Sequence, residues 1–334
     1  MVINRTIGIK IAGMSTTIPE ASSVERFDSF TEVKVRKSGF EQTASDLAFN
    51  AAQRLLTSKE IDLEEIGAVL FLSRTPDYRS PNTAAILQGR LGLSIDCICY
   101  DINKGSNGFQ SGIITGASIL NTINKKYALV LIGDTPSKFT ATGFFSKIDS
   151  DAATAVLLEK DSEGSTELIS GHLASGEEFK AFSVPKGGFR FYNPQSPFDA
   201  TKPESFELIF NETQVKHFLE KHTKGFLEEI NKHIDPKDSV IYHSQLALLT
   251  IIPNSLTSDS VIKEYGNTYG SNIPLQMAQQ LNNNSNAEPV HFSCIGFGEG
   301  LELSFLKLSI DSNCILPTAV STEFFKEYRV SHEI

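Results

Sequence analysis

Apolar positions along the chain follow two periods. Ile7–Gly13, Ile66–Ser73, Cys97–Ile102, Tyr127–Asp134 and Ala152–Glu159 are short runs rich in Ile, Val, Leu and Ala, the pattern of buried strands. Thr43–Thr57 instead sets Leu47, Ala51, Leu55 and Leu56 on one face at helical spacing. Asn82–Leu91 predicts a second helix, started behind Pro81, and Phe109–Asn124 a third. Thr166–Leu173 reads as the return strand of a hairpin with Ala152–Glu159. The order then recurs: helix Asn211–Ile234, strand Ser239–His243, a helix through Leu256, helix Ile273–Leu281, and strands His291–Ile295 and Leu301–Ile310. Two rounds of alternating helices and buried strands predict an α/β protein with two similar halves in layers, 1–175 and 176–334.

Between the halves, Lys180–Pro203 is rich in Gly, Pro and aromatic residues. It is too apolar for a disordered linker. Phe189, Phe191, Tyr192 and Phe198 are expected to cover a pocket, to pack at an interface, or simply to pack their loop on the core.

Charge and composition narrow the function classes. The 334 residues carry a net charge of −10, which argues against general nucleic-acid binding. No apolar run reaches the length of a membrane span. The opening MVINRTIGIKIAG reads as a first strand and not as a signal peptide, so the cytoplasm is the expected compartment. Cys97, Cys99, Cys294 and Cys314 form no metal-ligand cluster and read as reduced, buried small hydrophobes. Cys97 and Cys99 are expected on opposite faces of their strand.

The stretch CICYDINKGSNGFQSGIITGASIL, Cys97–Leu120, carries the first candidate chemistry. A strand that turns sharply into a helix at Asn103–Gly108 exposes the turn side chain beside unpaired helix N–H groups, which favour negative charge. Ser106 there is either an ordinary helix cap or a nucleophile beside an oxyanion site. Three further loops lie at strand ends in the second half. They are SVIYHSQLALL with His243, YGNTYGSNIP with Asn267, and the glycine-rich turn SCIGFGEGL. Singly, each also fits a structural residue or a plain turn.

In this order the motifs resemble the thiolase-fold ketosynthases, specifically the ketoacyl-ACP synthase III family, over nearly the whole chain. Tyr100–Phe109 resembles the nucleophile elbow, His243 the catalytic His and Asn267 the catalytic Asn. Asp151-Ala152-Ala153-Thr154-Ala155 resembles the Gly-Asp-Gly-Ala strand, and Gly296–Leu301 the terminal glycine loop. The resemblance implies two halves in five layers (αβαβα) and a homodimer, with a heterodimer as the other possibility. It implies an acyl thioester substrate on coenzyme A or acyl carrier protein, no permanently bound cofactor and no metal. The expected reaction is decarboxylative condensation with malonyl-ACP in fatty-acid or polyketide-like synthesis. The alternatives are acyl transfer to an alcohol or amine, and a non-catalytic partner subunit. By the same resemblance the Ser106 amide and one near Gly298 or Glu299 form the oxyanion hole, with Phe189, Phe210 and Ser80 at the acyl pocket.

Several positions depart from the family. Ser106 stands where the nucleophilic Cys is expected, and a hydroxyl needs a base, for which His243 is one candidate. Ser106 is a working nucleophile, the mark of a subunit that has lost the reaction, or an introduced replacement for Cys. Val33 takes the place of a Trp that stacks on the adenine of coenzyme A, and the chain has no Trp. Carrier docking needs a basic mouth. His243–Ser258 holds no Lys or Arg, which leaves Lys34, Arg36, Lys37, Lys216, Lys221 and Lys224 as candidates. The loop Arg74–Thr83, with Ser80 near its tip, is expected to reach a neighbouring subunit's pocket.

Overall fold

The computed structural model describes residues 1–26, 32–138, 140–141, 147–185, 207–243, 258–282 and 288–326. In chain order the elements begin with β1 (Val2–Ile7), β2 (Ile9–Pro19), β3 (Ser22–Arg26), β4 (Glu32–Arg36), α1 (Ala44–Ser58) and β5 (Ile66–Leu72). They continue with α2 (Thr83–Arg90), β6 (Ile98–Ile102), α3 (Gly108–Leu120), β7 (Tyr127–Asp134), β8 (Thr140–Ala141), β9 (Ala152–Lys160) and β10 (Glu167–Ala174). The remainder are β11 (Phe182–Ser183), β12 (Glu207–Phe210), α4 (Glu212–Ile230), β13 (Ser239–Tyr242), α5 (Ser258–Tyr265), α6 (Asn272–Asn282), β14 (Val290–Gly298), β15 (Glu302–Ile310) and β16 (Ala319–Ser321).

Two large sheets carry the fold, ordered β16-β2-β9-β7-β5-β6 and β1-β10-β15-β14-β13. In the first, β2/β9 and β9/β7 are antiparallel and β7/β5 parallel; in the second, β10/β15 and β15/β14 are antiparallel and β14/β13 parallel. The two halves therefore share one strand pattern. Strands do not respect the sequence midpoint: β1 and β10 lie in the second sheet, and β16 in the first.

Strand alternation builds the layers. From β5, Leu70 and Leu72 point to a core shared with Phe109, Ile113 and Ala117 of α3, Ile273 and Met277 of α6, and Phe292 and Leu306 of the second sheet. Val69 and Phe71 point the other way, against Leu47, Ala51 and Leu55 of α1 and Leu87 of α2. The outer face of the second sheet, Ile295, Phe297, Leu303 and Phe305, packs on Val215, Phe218 and Phe226 of α4. The result is five layers: α1 and α2, the first sheet, α3 and α6, the second sheet, and α4. The small β11-β12-β8 sheet and the β3–β4 hairpin complete the described structure.

Local chemistry sets the element ends. Thr43 and Asp46 form a reciprocal capping box at α1. The N-terminus of α2 is capped from a distance: Asp101 accepts from the Thr83 and Ala84 amides at 2.7 and 2.8 Å.

Three expectations are corrected. The strand expected to close a hairpin on Ala152–Glu159 pairs instead with β1 and β15 in the other sheet. The Asp161 carboxylate gathers the Ser165 and Thr166 amides, and Gly8 bonds to both Asp161 and Thr166, so the chain changes sheets there. The strand before Ser106 is only half buried, because β6 lies at a sheet edge with Tyr100 54% exposed. Cys97 and Cys99 are likewise half buried and pack against the same cluster, since residues two apart share a strand face. Cys294 and Cys314 are buried, and all four are free thiols. The helix expected through Leu256 and the aromatic residues Phe189, Phe191, Tyr192 and Phe198 lie outside the described residues.

Candidate active site

The elbow forms between β6 and α3. Asn107, not Ser106, occupies the cap position of α3, and its side chain makes no capping bond. Its amide instead donates to the Glu302 carbonyl at 3.1 Å and accepts from the Ser304 hydroxyl at 2.8 Å, tying the elbow to β15. Gly108 N–H closes the turn on the Gly105 carbonyl at 2.8 Å. Ser106 is thus released from capping and buried, 1% exposed.

The turn between β14 and β15 lies directly against it. A Cβ on Gly298 would stand 3.1 Å from the Ser106 Cβ and 3.3 Å from the Asn107 amide nitrogen. Glu299 then reaches over the elbow. Its Oε2 accepts from the Ser106 amide at 3.1 Å, and its Oε1 from the Ser106 hydroxyl at 3.2 Å. The amide expected to serve an oxyanion is therefore held by a carboxylate.

Glu299 is itself anchored. Arg74 Nη1 lies 2.9 Å from Glu299 Oε1. The Arg74 amide donates to Asp134 at 2.8 Å, and the guanidinium stacks 3.8 Å from the centre of the Tyr269 ring. Burial opposes the Arg74 charge, but Glu299 and Asp134 outweigh it and hold the pKa above the ordinary arginine value. Burial likewise pushes the Asp134 carboxyl up to about 6, against the pull of Arg74.

His243 and Asn267 stand behind this pair. His243 follows β13, is fully buried, and donates its amide to Ile295 in β14 at 2.8 Å. Its Nε2 lies 2.8 Å from the Tyr269 carbonyl, which can only accept, so Nε2 carries the proton. Burial pushes the imidazole down to about 4, which leaves it neutral near pH 7. Asn267 is pinned by backbone bonds to Ile148 and Ser150. Gly266 before it has φ +69°, and a Cβ there would meet the Ile148 carbonyl at 2.6 Å, so this turn requires glycine. Asn267 Nδ2 and the Tyr269 hydroxyl both donate to Asp149 Oδ1, at 3.1 and 2.8 Å. Burial, partly offset by these bonds, pushes Asp149 up to about 7.

Ser106, Glu299, Arg74, Tyr269 and His243 are linked in one network that Asp149 extends to Asn267, buried except at the partly exposed Glu299. Asp151 acts elsewhere: it clamps the Ser38 and Ser137 amides at 2.7 and 2.9 Å. Phe210 is half buried and packs edge-on to Phe182, with ring centres 5.2 Å apart. Ser80 is exposed in the loop before α2, and Phe189 lies outside the described residues. Val33 is fully buried among core residues, so its position offers no surface for a nucleotide to stack on. Sequence reasoning missed the side chains of Arg74, Glu299, Asp134, Asp149 and Tyr269. The legible signal was an acidic residue inside a glycine turn, Gly298-Glu299-Gly300.

Comparisons with known proteins bear on the family and the fold. Residues 100–176 match the family model described as 3-oxoacyl-[acyl-carrier-protein (ACP)] synthase III. The chain is 27% identical over 310 residues to a beta-ketoacyl-[acyl-carrier-protein] synthase III of Latilactobacillus sakei, covering 86% of this chain and 91% of that one. A crystal structure of a 3-oxoacyl-(acyl-carrier protein) synthase from Burkholderia xenovorans superposes with a TM-score of 0.81 at 26% identity, covering 96% and 99% of the two chains. OleA of Xanthomonas campestris shares the fold, with a TM-score of 0.71 at 18% identity and coverage of 92% and 98%.

Proposed function

The chain is a ketoacyl-ACP synthase III-like protein of the thiolase-fold ketosynthase family, and from that premise we propose that Ser106 is its acyl-accepting nucleophile. The enzyme is an acyltransferase of the condensing type. In this reading an acyl thioester, on coenzyme A or a carrier protein, passes its acyl group to the Ser106 oxygen. Malonyl-ACP then loses carbon dioxide, and the resulting carbanion attacks the acyl-enzyme to form the carbon–carbon bond. His243 and Asn267 border the site where the enolate develops. The amide next to Gly298 joins that of Ser106 in stabilising the oxyanion.

One observation carries the reading. Ser106 sits outside the cap of α3, buried, with its hydroxyl and amide turned to the β14–β15 turn. A structural cap would place the oxygen on the helix instead. Incubation with short acyl thioesters should add one acyl mass to the peptide that contains Ser106, and Ser106→Ala should remove the adduct. Full turnover by Ser106→Ala would defeat the proposal.

The assembly reading follows from the open edge of β6, which has one neighbour, β5, among the described residues. Ile95, just before it, is 99% exposed. A second copy pairing there would continue the first sheet across a homodimer. For the carrier, Lys221 and Lys224 on α4 offer exposed positive charge, whereas Lys34 and Lys37 are engaged with Glu264 and Glu25 at 3.7 and 3.5 Å.

A further inference from the structure

A serine hydroxyl beside a helix start still needs a group to take its proton. His243 is placed for other work at Nε2, which donates to the Tyr269 carbonyl and has no lone pair to offer there. The Ser106 hydroxyl already donates elsewhere, to Glu299 Oε1 at 3.2 Å.

The carboxylate is built into the elbow. Arg74 holds Oε1 from the far side at 2.9 Å, and Asp134 in turn binds the Arg74 backbone at 2.8 Å. Gly105 is what lets this pair lie against the nucleophile. A Cβ there would fall 2.4 Å from Arg74 Nε and 2.7 Å from Glu299 Oε1. Glu299 is aimed by its turn, where Gly300 and Leu301 take φ of +75° and +49°. Tight placement of this kind fixes a side chain at a reacting atom without ordering it anew at each turnover.

We propose that Glu299, anchored by Arg74, is the general base that activates Ser106 and the acid that releases the thiol. The inference rests on acylation of Ser106 as read above. As the Ser106 oxygen bonds to the thioester carbonyl carbon, its proton passes to Glu299 Oε1. The tetrahedral intermediate collapses, the carbon–sulfur bond breaks, and the departing sulfur takes the proton back from Glu299. The products are the serine ester and free thiol, with Glu299 again a carboxylate. The Oε2 contact to the Ser106 amide has a second consequence. The thioester carbonyl must displace Oε2 from that N–H to enter the oxyanion site, while Oε1 stays between Arg74 and the hydroxyl. The glycine turn thus supplies a side chain to the chemistry as well as a backbone amide.

A cysteine at 106 would not need this base, because a thiol supplies thiolate by itself near neutral pH. That difference separates catalysis from structure. The full chain is incubated with acetyl, butyryl and octanoyl N-acetylcysteamine thioesters, and acylation is timed by intact mass. Glu299→Gln is expected to slow acylation of Ser106 by about 10²–10⁴-fold. The Ser106→Cys/Glu299→Gln double variant is expected to acylate as fast as Ser106→Cys alone. The proposal is overturned if Glu299→Gln acylates at the parent rate, or if the double variant is slowed as much as the single one. No ester on the unaltered protein with any of the three thioesters, while Ser106→Cys is acylated, would defeat the Ser106 reading itself.

Discussion

Asp149 joins two candidate site residues through one oxygen, and its ionisation has a measurable cost. An unfolded-chain aspartate ionises near 3.8, whereas burial pushes Asp149 up to about 7. Between those values the folded protein holds a proton that the unfolded chain has lost. The stability Asp149 contributes therefore declines as pH rises through that window and levels off above it. His243 works in the opposite sense. Its imidazole falls from 6.5 to about 4 on folding, so its contribution is lost as pH drops through that range. Asp149→Asn keeps an acceptor for Tyr269 and Asn267 but removes the carboxyl titration. Urea midpoints from about pH 4.5 to about 7.5 should fall less steeply in this variant than in the parent. Equal slopes would show that the carboxyl does not titrate there.

At the level of elements, the elbow depends on close backbone approach more than on side-chain packing. A Cβ on Gly270 would stand 2.4 Å from Ile132 Cγ2 and 2.9 Å from the Gly105 carbonyl. The carbonyl belongs to the turn that carries Ser106 and cannot swing aside as a side chain could. Gly270→Ala should cost about 1–3 kcal/mol in chemical denaturation and slow Ser106 acylation beyond the stability loss. Parent-like acylation in this variant would show that the turn tolerates displacement. The capping box of α1 makes a contrasting case, distant in role. Thr43→Ala should cost about 1 kcal/mol, measured by the same denaturation, with acylation unchanged because α1 packs on the outer face of the first sheet.

For the whole molecule, the five layers leave β6 at the end of its sheet, with β5 as its one neighbour among the described residues. If two copies join there, the parent should sediment as a dimer at micromolar concentration, and Ile95→Asp should shift it toward monomer. Ile95 is 99% exposed in one chain, so the substitution should leave the fold of the monomer intact. A parent that sediments as a monomer would refute the edge-to-edge dimer. Co-purification with a different ketosynthase subunit would favour the heterodimer.

Much of this was legible along the chain, because the signals were local. The run Tyr127–Asp134 has the same bounds as β7, and the helix read at Thr43–Thr57 begins and ends within one residue of α1. The strand is set by its continuous apolar run, and the helix by its periodicity and its cap. The elbow at Ser106, the turn at Asn267 and the position of His243 were legible for the same reason: each is a short motif at a strand end. Tertiary structure decided what period alone cannot carry. It chose the sheet that Glu167–Ala174 joins, since an apolar face has no record of its partner. It left β6 exposed at an edge, because burial depends on how many strands flank it. It also brought Arg74, Ser106 and Glu299, far apart in the chain, to within hydrogen-bonding distance across the two halves. A buried charge tolerates such a place only with its partners present, and those partners were assembled by the fold.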